Sequence, residues 1–377
     1  VWAVWAARRA RTSGRLRAAA LAGVLAGAAT LAKFSGLLFA VALAAWIAAI
    51  PGSPRRRLAR LATFLGATLL VLYAAYGFPP PGMLHGWPTP LPRAVTDGIA
   101  AQLAEAPYPA YLLGELREGG GWASYHLVAF LVKTPLPVLA ILALGLGCAV
   151  RGRRRELALP LVMAVVYFAA FGAATKKNVG VRYILPALPL LHVAASAAYG
   201  FRWRALPWGL TLLAVAAGVS ASGAPLASFN GVERFLGGKR AVLVDSNLDW
   251  GQALPDLREW QARHGIKVVQ LAYFGRVDPS IYGVRWRTLP STPVRGPVAI
   301  SATFAVGRPY AVLMKEKQHL EPTRAWTHVD TWSWLAGVKP EAELGGGAIL
   351  VWQDVGPALD AAEAARAGDE KGAKRRR

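Results

Sequence analysis

The sequence predicts a polytopic α-helical membrane domain followed by a small extracytoplasmic α/β domain. Three observations carry that expectation: a shortage of charge, apolar segments separated by short basic runs, and a change of period after Ser222. The 377 residues are 54% hydrophobic and 17% charged, with a mean hydropathy of +0.34, whereas soluble chains carry about 25% charged residues. The net charge of +22 invites a nucleic-acid reading, but its distribution opposes one. Residues 1–222 hold 22 Lys/Arg against 5 Asp/Glu, while residues 223–377 hold 21 against 16. The surplus lies between apolar stretches, where membrane topology uses it, and nucleic acid is excluded as a partner. Cys148 is the only cysteine, so no disulfide or cysteine metal site forms within the chain. The chain opens at Val1 directly into a Trp/Ala segment without a signal peptide, which reads as the continuation of a longer protein.

A spanning helix needs roughly 20 apolar residues to cross about 30 Å of hydrocarbon. Seven segments are candidates: Ala18–Ala32, Phe34–Ile50, Leu61–Phe78, Thr134–Val150, Leu157–Ala174, Ile184–Gly200 and Ala205–Ser222. The first is short enough to be re-entrant. Threading them alternately puts four basic clusters on one side: Arg8 to Arg17, Arg55 to Arg60, Arg151 to Arg155, and Arg202 with Arg204. That side is therefore cytoplasmic. The other side receives Lys33, the 79–121 loop, the 175–183 connection and everything after Ser222, which makes the protein a multi-pass component of the inner (plasma) membrane. The membrane domain is thus 1–222. Its 79–121 loop is proline-rich and apolar, and is expected to pack on the membrane face as a loop. Gly121–Val132, with Trp122 and Tyr125, reads as an interfacial helix.

Residues 223–357 change character. Ala241–Val244 reads as a strand, Gln252–His264 as a helix and Lys267–Phe274 as a second strand, a β-α-β unit implying a parallel pair. Val298–Ala302 and Ala348–Trp352 read as further strands and Val329–Leu335 as a short helix. Residues 358–377 read as a basic disordered tail.

Two groups of residues point to chemistry. Lys33, Lys133, Lys176, Lys177 and Arg182 all fall at the expected outer interface, against the rule that concentrates cations inside. An anionic headgroup would explain them, with Arg182 binding phosphate through two bonds and the lysines acting as point charges. Snorkelling of single side chains to water remains the alternative. The second group is Asp245-Ser246-Asn247-Leu248-Asp249-Trp250-Gly251-Gln252, at the expected carboxyl end of the first strand, where open α/β sheets place ligands. Asp245, Asn247 and Asp249 would bind sugar hydroxyls, the two aspartates would alternatively take a divalent metal, and Trp250 offers a flat face for a sugar ring. The competing reading is local: Asn247 or Asp249 caps the next helix and Asp245 closes the turn. No metal-ligand spacing, phosphate loop or Ser/His/Asp arrangement is present in the sequence.

The runs LAGAATLAKFSGLLF, YHLVAFLVKTPLPVL and VGVRYILPALPLL, with VLVDSNLDWGQALPDLREW and YFGRVDPSIYG in the soluble part, resemble the C-type glycosyltransferase superfamily. The nearest subgroup is the bacterial relatives of protein O-mannosyltransferase and lipid A aminoarabinose transferase, the phospholipid carrier-dependent glycosyltransferases. The resemblance runs from about Ala18 to Asp354. It implies an enzyme that transfers a sugar from a polyprenyl-phosphate donor to a protein, lipid or glycan acceptor on the extracytoplasmic face. It places Lys33, Lys133 and Arg182 on the donor phosphate, with Tyr183 and Lys176 or Lys177 nearby. The catalytic acidic residue it implies is expected upstream of Val1; no cofactor is implied with certainty, and a divalent metal is left open. A transporter or flippase for an anionic lipid, or a non-catalytic sugar-binding scaffold, would use the same cations.

Overall fold

The structure is a computed structural model, and it describes residues 1–152, 154–174, 177–315 and 323–361. Helices come first and a small sheet follows. The chain runs α1 (Trp2–Ser13), α2 (Leu16–Ala32), α3 (Gly36–Ala48), α4 (Pro54–Ala75), β1 (Pro81–Leu84), β2 (Trp87–Pro92), α5 (Arg93–Ala104), β3 (Ala110–Leu112) and β4 (Glu115–Arg117). It continues through α6 (Tyr125–Lys133), α7 (Leu136–Arg151), α8 (Ala158–Ala174), α9 (Leu188–Ala195), α10 (Ala205–Ser220), α11 (Lys239–Val242) and α12 (Leu254–Arg263). The remainder is β5 (Val269–Ala272), β6 (Trp286–Thr288), β7 (Val298–Ser301), α13 (Ala302–Ala305), β8 (Ala311–Met314), β9 (Thr323–Trp326), β10 (Ala342–Leu344) and β11 (Ile349–Trp352).

The chain divides into two compact units. One comprises Val1–Ala106, Ala140–Ala174 and Ile184–Trp208; the other comprises Pro107–Leu139, Thr175–Tyr183 and Gly209–Arg377. The division therefore does not fall at residue 222. The end of the 79–121 loop, α6 and the 175–183 connection belong with the α/β unit, because Leu112, Tyr125, Ala129 and Val132 share a core with Val242 and Leu243.

In the helical unit, α2 lays a stripe of small residues (Ala18, Ala19, Ala22, Gly23, Ala26, Gly27, Thr30) into the interior. A Cβ on Gly27 would stand 2.9 Å from the Cβ of Val71 on α4, so glycine is what lets the two helices approach. Thr68 on α4 closes the contact by donating to the Gly23 carbonyl at 3.1 Å. The helix α4 starts where Ser53 accepts from the Arg56 amide and Pro54 occupies the first turn. It is the one helix among the described residues that is long and apolar enough alone to cross a bilayer. The helices α6 and α7 pass that test together but are bent by 112° at Thr134-Pro135, and α2, α3, α8 and α10 are shorter apolar helices. The Ile184–Gly200 segment forms a further short apolar helix, Leu185–Gly200, whose α-helical centre α9 is flanked by 3-10 turns Leu185–Ala187 and Ser196–Gly200, with Pro186 and Pro189 withholding amide donors near its start. The 79–121 region is more ordered than a loop, carrying hairpins β1–β2 and β3–β4 with α5 between them.

The α/β unit is built on a five-stranded sheet in the order β10-β11-β7-β5-β6. Strand β5 runs parallel to its neighbours β6 and β7, β7 is central, and β11 and β10 add on antiparallel beyond it. The parallel pair expected between 241–244 and 267–274 is absent: β5 pairs in parallel with β6 and β7, and 241–244 takes no part in the sheet. Gly237 and Gly238 adopt positive φ and start α11 instead. Leu243 and Val244 follow as extended backbone, and the Val242 carbonyl accepts from the Leu113 amide rather than from a strand. Burial of Val242 and Leu243 against α6 overrides their strand propensity. The expected Val329–Leu335 helix is reduced to a 3-10 turn at Ser333–Leu335. Residues 358–361 continue a helix from 355, and Asp360 pairs with Arg295 at 2.9 Å; the rest of the expected tail, 362–377, lies outside the described residues.

Candidate functional site

The segment 245–252 joins α11 to α12 and is sewn to the 177–183 connection. Ser246 donates its hydroxyl to the Val179 carbonyl. The Asn247 amide oxygen accepts from Val181 N at 3.2 Å, and its nitrogen donates to the Tyr125 hydroxyl at 2.8 Å. Asn178 accepts from the Trp122 amide at 2.6 Å, tying the same connection to the entry of α6. Asp245 holds a left-handed φ of 59°, which a non-glycine residue keeps only when its surroundings fix it. They do: Thr303 accepts from its amide at 3.0 Å, and Arg308 Nη2 sits 2.7 Å from its carboxylate with both side chains buried.

The acidic residues expected to face a sugar or metal thus turn inward. Asp249 is fully buried, and one carboxylate oxygen accepts from the Gly251 amide at 2.9 Å. Burial pushes Asp249 up to about 7 against the pull of the Gly251 amide and Ser301, and Asp245 adds repulsion. Neither aspartate nor Asn247 caps α12, whose N-cap is Ala253 without a side-chain bond. No group of three His, Cys, Asp or Glu suited to a metal ion occurs among the described residues.

Trp250 is the exception. It is 42% exposed and lines a cleft of about 380 Å³ with Gly251, Gln252, Tyr273, Phe274, Gly275, Arg276, Tyr282 and Tyr310. The cleft opens beyond the carboxyl end of β5, where parallel strands place ligands. Trp250 stands edge-on to buried Phe274 at 5.3 Å, and Phe274 leans on Tyr310 at 4.8 Å, so the exposed indole has a rigid backing. Gly251 cannot be replaced without displacing the Tyr273 hydroxyl. The fixed wall of the cleft is therefore set by 250–252.

Cations gather at this wall. The Arg182 guanidinium lies 5.4 Å over the Trp250 ring and 5.4 Å from that of Tyr183. Lys177 lies 5.7 Å over Tyr108, and burial together with the charge of Arg182 lowers its proton affinity. Arg276 bonds the Tyr310 hydroxyl and feels Tyr108, which raises its proton affinity. Lys133 is engaged differently: its ammonium donates to the carbonyls of Leu226 at 2.5 Å and Asn247 at 2.6 Å and faces the Phe229 ring at 4.4 Å. It supports the 245–252 segment from behind. Lys33 sits exposed at the turn between α2 and α3, in the helical unit. Lys176 lies outside the described residues.

The structure thus brings Arg182, Tyr183, Lys177 and Trp250 to one neighbourhood and buries Asp245, Asn247 and Asp249 beneath it. Sequence reading takes Tyr273-Phe274-Gly275 and Tyr282-Gly283 for strand-end turns and does not single out Arg276 or Tyr310. The Tyr273-Phe274 pair directly after a buried strand was the available signal. Arg308 had none, because only the fold brings it to Asp245. Comparisons with family models, curated proteins and solved structures find no match to this chain.

Proposed function

We propose that the chain is a multi-pass membrane glycosyltransferase that takes its sugar from a polyprenyl-phosphate donor on the extracytoplasmic face. The observation that carries this reading is the Arg182 guanidinium over the Trp250 ring, with Lys177 and Arg276 gathered about Tyr108. A sugar ring stacks on the indole while its phosphate meets the guanidinium and ammonium groups. Among the described residues no carboxylate lines the cleft to repel that phosphate. The membrane part of the reading is supported by α4 and by helices that turn their aliphatics outward. Leu212 and Val219 on α10 are 71% and 68% exposed, and Val165 on α8 is 63% exposed.

In the transfer, an acceptor hydroxyl oxygen attacks the anomeric carbon and the bond from that carbon to the phosphate oxygen breaks. Its electron pair leaves with the lipid phosphate, whose charge Arg182 and Lys177 stabilise. The hydroxyl proton passes to a carboxylate outside the cleft; Asp249, sealed and held by Gly251, does not take that role.

The test uses the full chain in nanodiscs and compares undecaprenyl phosphate with undecaprenol by native mass spectrometry. The phosphate is expected to bind, the alcohol to bind at least about tenfold more weakly, and Arg182→Ala to erase the difference. Equal binding of the two lipids, or an unaffected Arg182→Ala variant, overturns the reading.

A further inference from the structure

Glycines isolate the segment just before α11. Gly231, Gly237 and Gly238 all adopt positive φ and bracket a 3-10 turn, Val232–Leu236. Inside the turn, buried Glu233 accepts from the Gly231 amide at 2.7 Å and gives its carbonyl to the Gly238 amide at 2.8 Å. The other side chains point out. Phe235 is 89% exposed, more than any other large apolar residue described, with Leu236 at 43% beside it. Arg234, just before them, is exposed, whereas Lys239 and Arg240 are held by the Gly346 carbonyl and Glu343. An aromatic so placed has no role in packing the unit.

The position of the turn says what covers it. Asn230, immediately before it, donates through its side chain to the carbonyls of Leu131 at 2.6 Å and Thr134 at 2.9 Å, and through its amide to Val132 at 3.0 Å. The turn is thereby stapled to the corner where α6 ends and the apolar α7 begins. Leu127 and Leu131 on α6 and Leu136 on α7 are each about half exposed there. Phe235 is thus tethered, through Asn230 five residues before it, to the apolar corner that carries Leu136.

We infer that Val232–Leu236 is a membrane foot: Phe235 and Leu236 enter the acyl region of an anionic leaflet while Arg234 meets its phosphates. The inference rests on the bilayer reading of α7 but not on the glycosyltransferase reading. It explains the bracketing glycines, which let an exposed turn project without ordering its neighbours.

The experiment uses the full chain with Cys148→Ser, labelled with bimane at Phe235→Cys, Leu212→Cys or Ile281→Cys, in nanodiscs containing phosphatidylglycerol. Ile281 is 76% exposed on the α/β part and serves as the aqueous reference. The Phe235 label is expected to be quenched by doxyl-lipid about threefold more than the Ile281 label, and to be shielded from iodide. Adding Arg234→Glu should cut that lipid quenching by about half in anionic discs and leave it unchanged in phosphatidylcholine discs. If the Phe235 label behaves like Ile281 while Leu212 is lipid-quenched, the foot is wrong and the bilayer reading stands. If the Leu212 label is also water-exposed, both fall. Indifference to Arg234→Glu overturns the anionic partner.

Discussion

The helical unit packs on alanine and glycine, with Ala6, Ala7, Ala19 and Ala22 fully enclosed and many leucines and valines turned out. Both units enclose large side chains, Phe64, Tyr167 and Met163 in the helical unit and Trp352, Tyr273 and Phe274 in the α/β unit, but the α/β unit adds buried Asp245, Asn247, Asp249 and Arg308. Among the described residues it buries twelve polar or charged side chains, against four in the helical unit. The difference follows from what each unit must specify. Close helix approach needs only small residues at the crossing, since backbone bonds are satisfied within each helix. A loop that carries a ligand wall has no such internal ladder. Its backbone and side chains must find partners one by one, and buried polar bonds supply a single geometry.

The sharpest break of this contrast is removal of one partner of the Asp245–Arg308 pair. Asp245→Ala or Arg308→Ala strands a buried charge and should cost about 3–5 kcal/mol in the α/β unit. Chemical denaturation followed by Trp fluorescence measures it; a loss under about 1 kcal/mol would mean that the pair is not sealed from solvent. Next comes pH. Below about 3.8, Asp249 is protonated in folded and unfolded chains alike and contributes nothing. Between there and about 7 the unfolded chain releases a proton that the folded chain retains, so stability falls as pH rises; above 7 the loss is complete. Its size is on the order of 1–4 kcal/mol, and denaturation midpoints of Asp249→Asn across pH 4–8 should lack this component. In the helical unit, Gly23→Val drives a side chain into the Phe64 carbonyl and Ala67, and should cost about 1–3 kcal/mol by thermal unfolding in detergent. A neutral outcome there would show that α2 and α4 can part freely. The smallest stability effect is expected at Trp250→Ala, under about 1 kcal/mol, because the indole is exposed. On the proposed reading its effect on undecaprenyl-phosphate binding should be about tenfold, so the two readouts separate support from recognition.

Much of this was legible in the residues. The apolar segments became helices because composition alone makes an extended backbone there hard to satisfy, and Val269, Val298 and Ile349 fell in strands buried on both faces. Arg182 and Trp250 were singled out and lie together. Other features were hidden for physical reasons. Val242 and Leu243 look like strand residues, but their hydrophobic demand is met by α6. Asp245 and Asp249 look like ligands, and nothing local reveals that Arg308, some sixty residues on, turns one of them inward. The β1–β2 hairpin within 79–121 was masked by prolines, which sit in strands whose edges need no donor.

The segment 245–252 leaves its side chains little latitude: Ser246, Asn247, Asp249 and Gln252 are each bonded to neighbouring backbone, Leu248 is fully buried and Gly251 has no room to grow. On the proposed reading, adaptation to a different sugar would not begin there. Retuning must come from the opposite rim, where Arg276, Val277 and Tyr282 are exposed. An engineer seeking altered selectivity would diversify those three and leave the jig untouched.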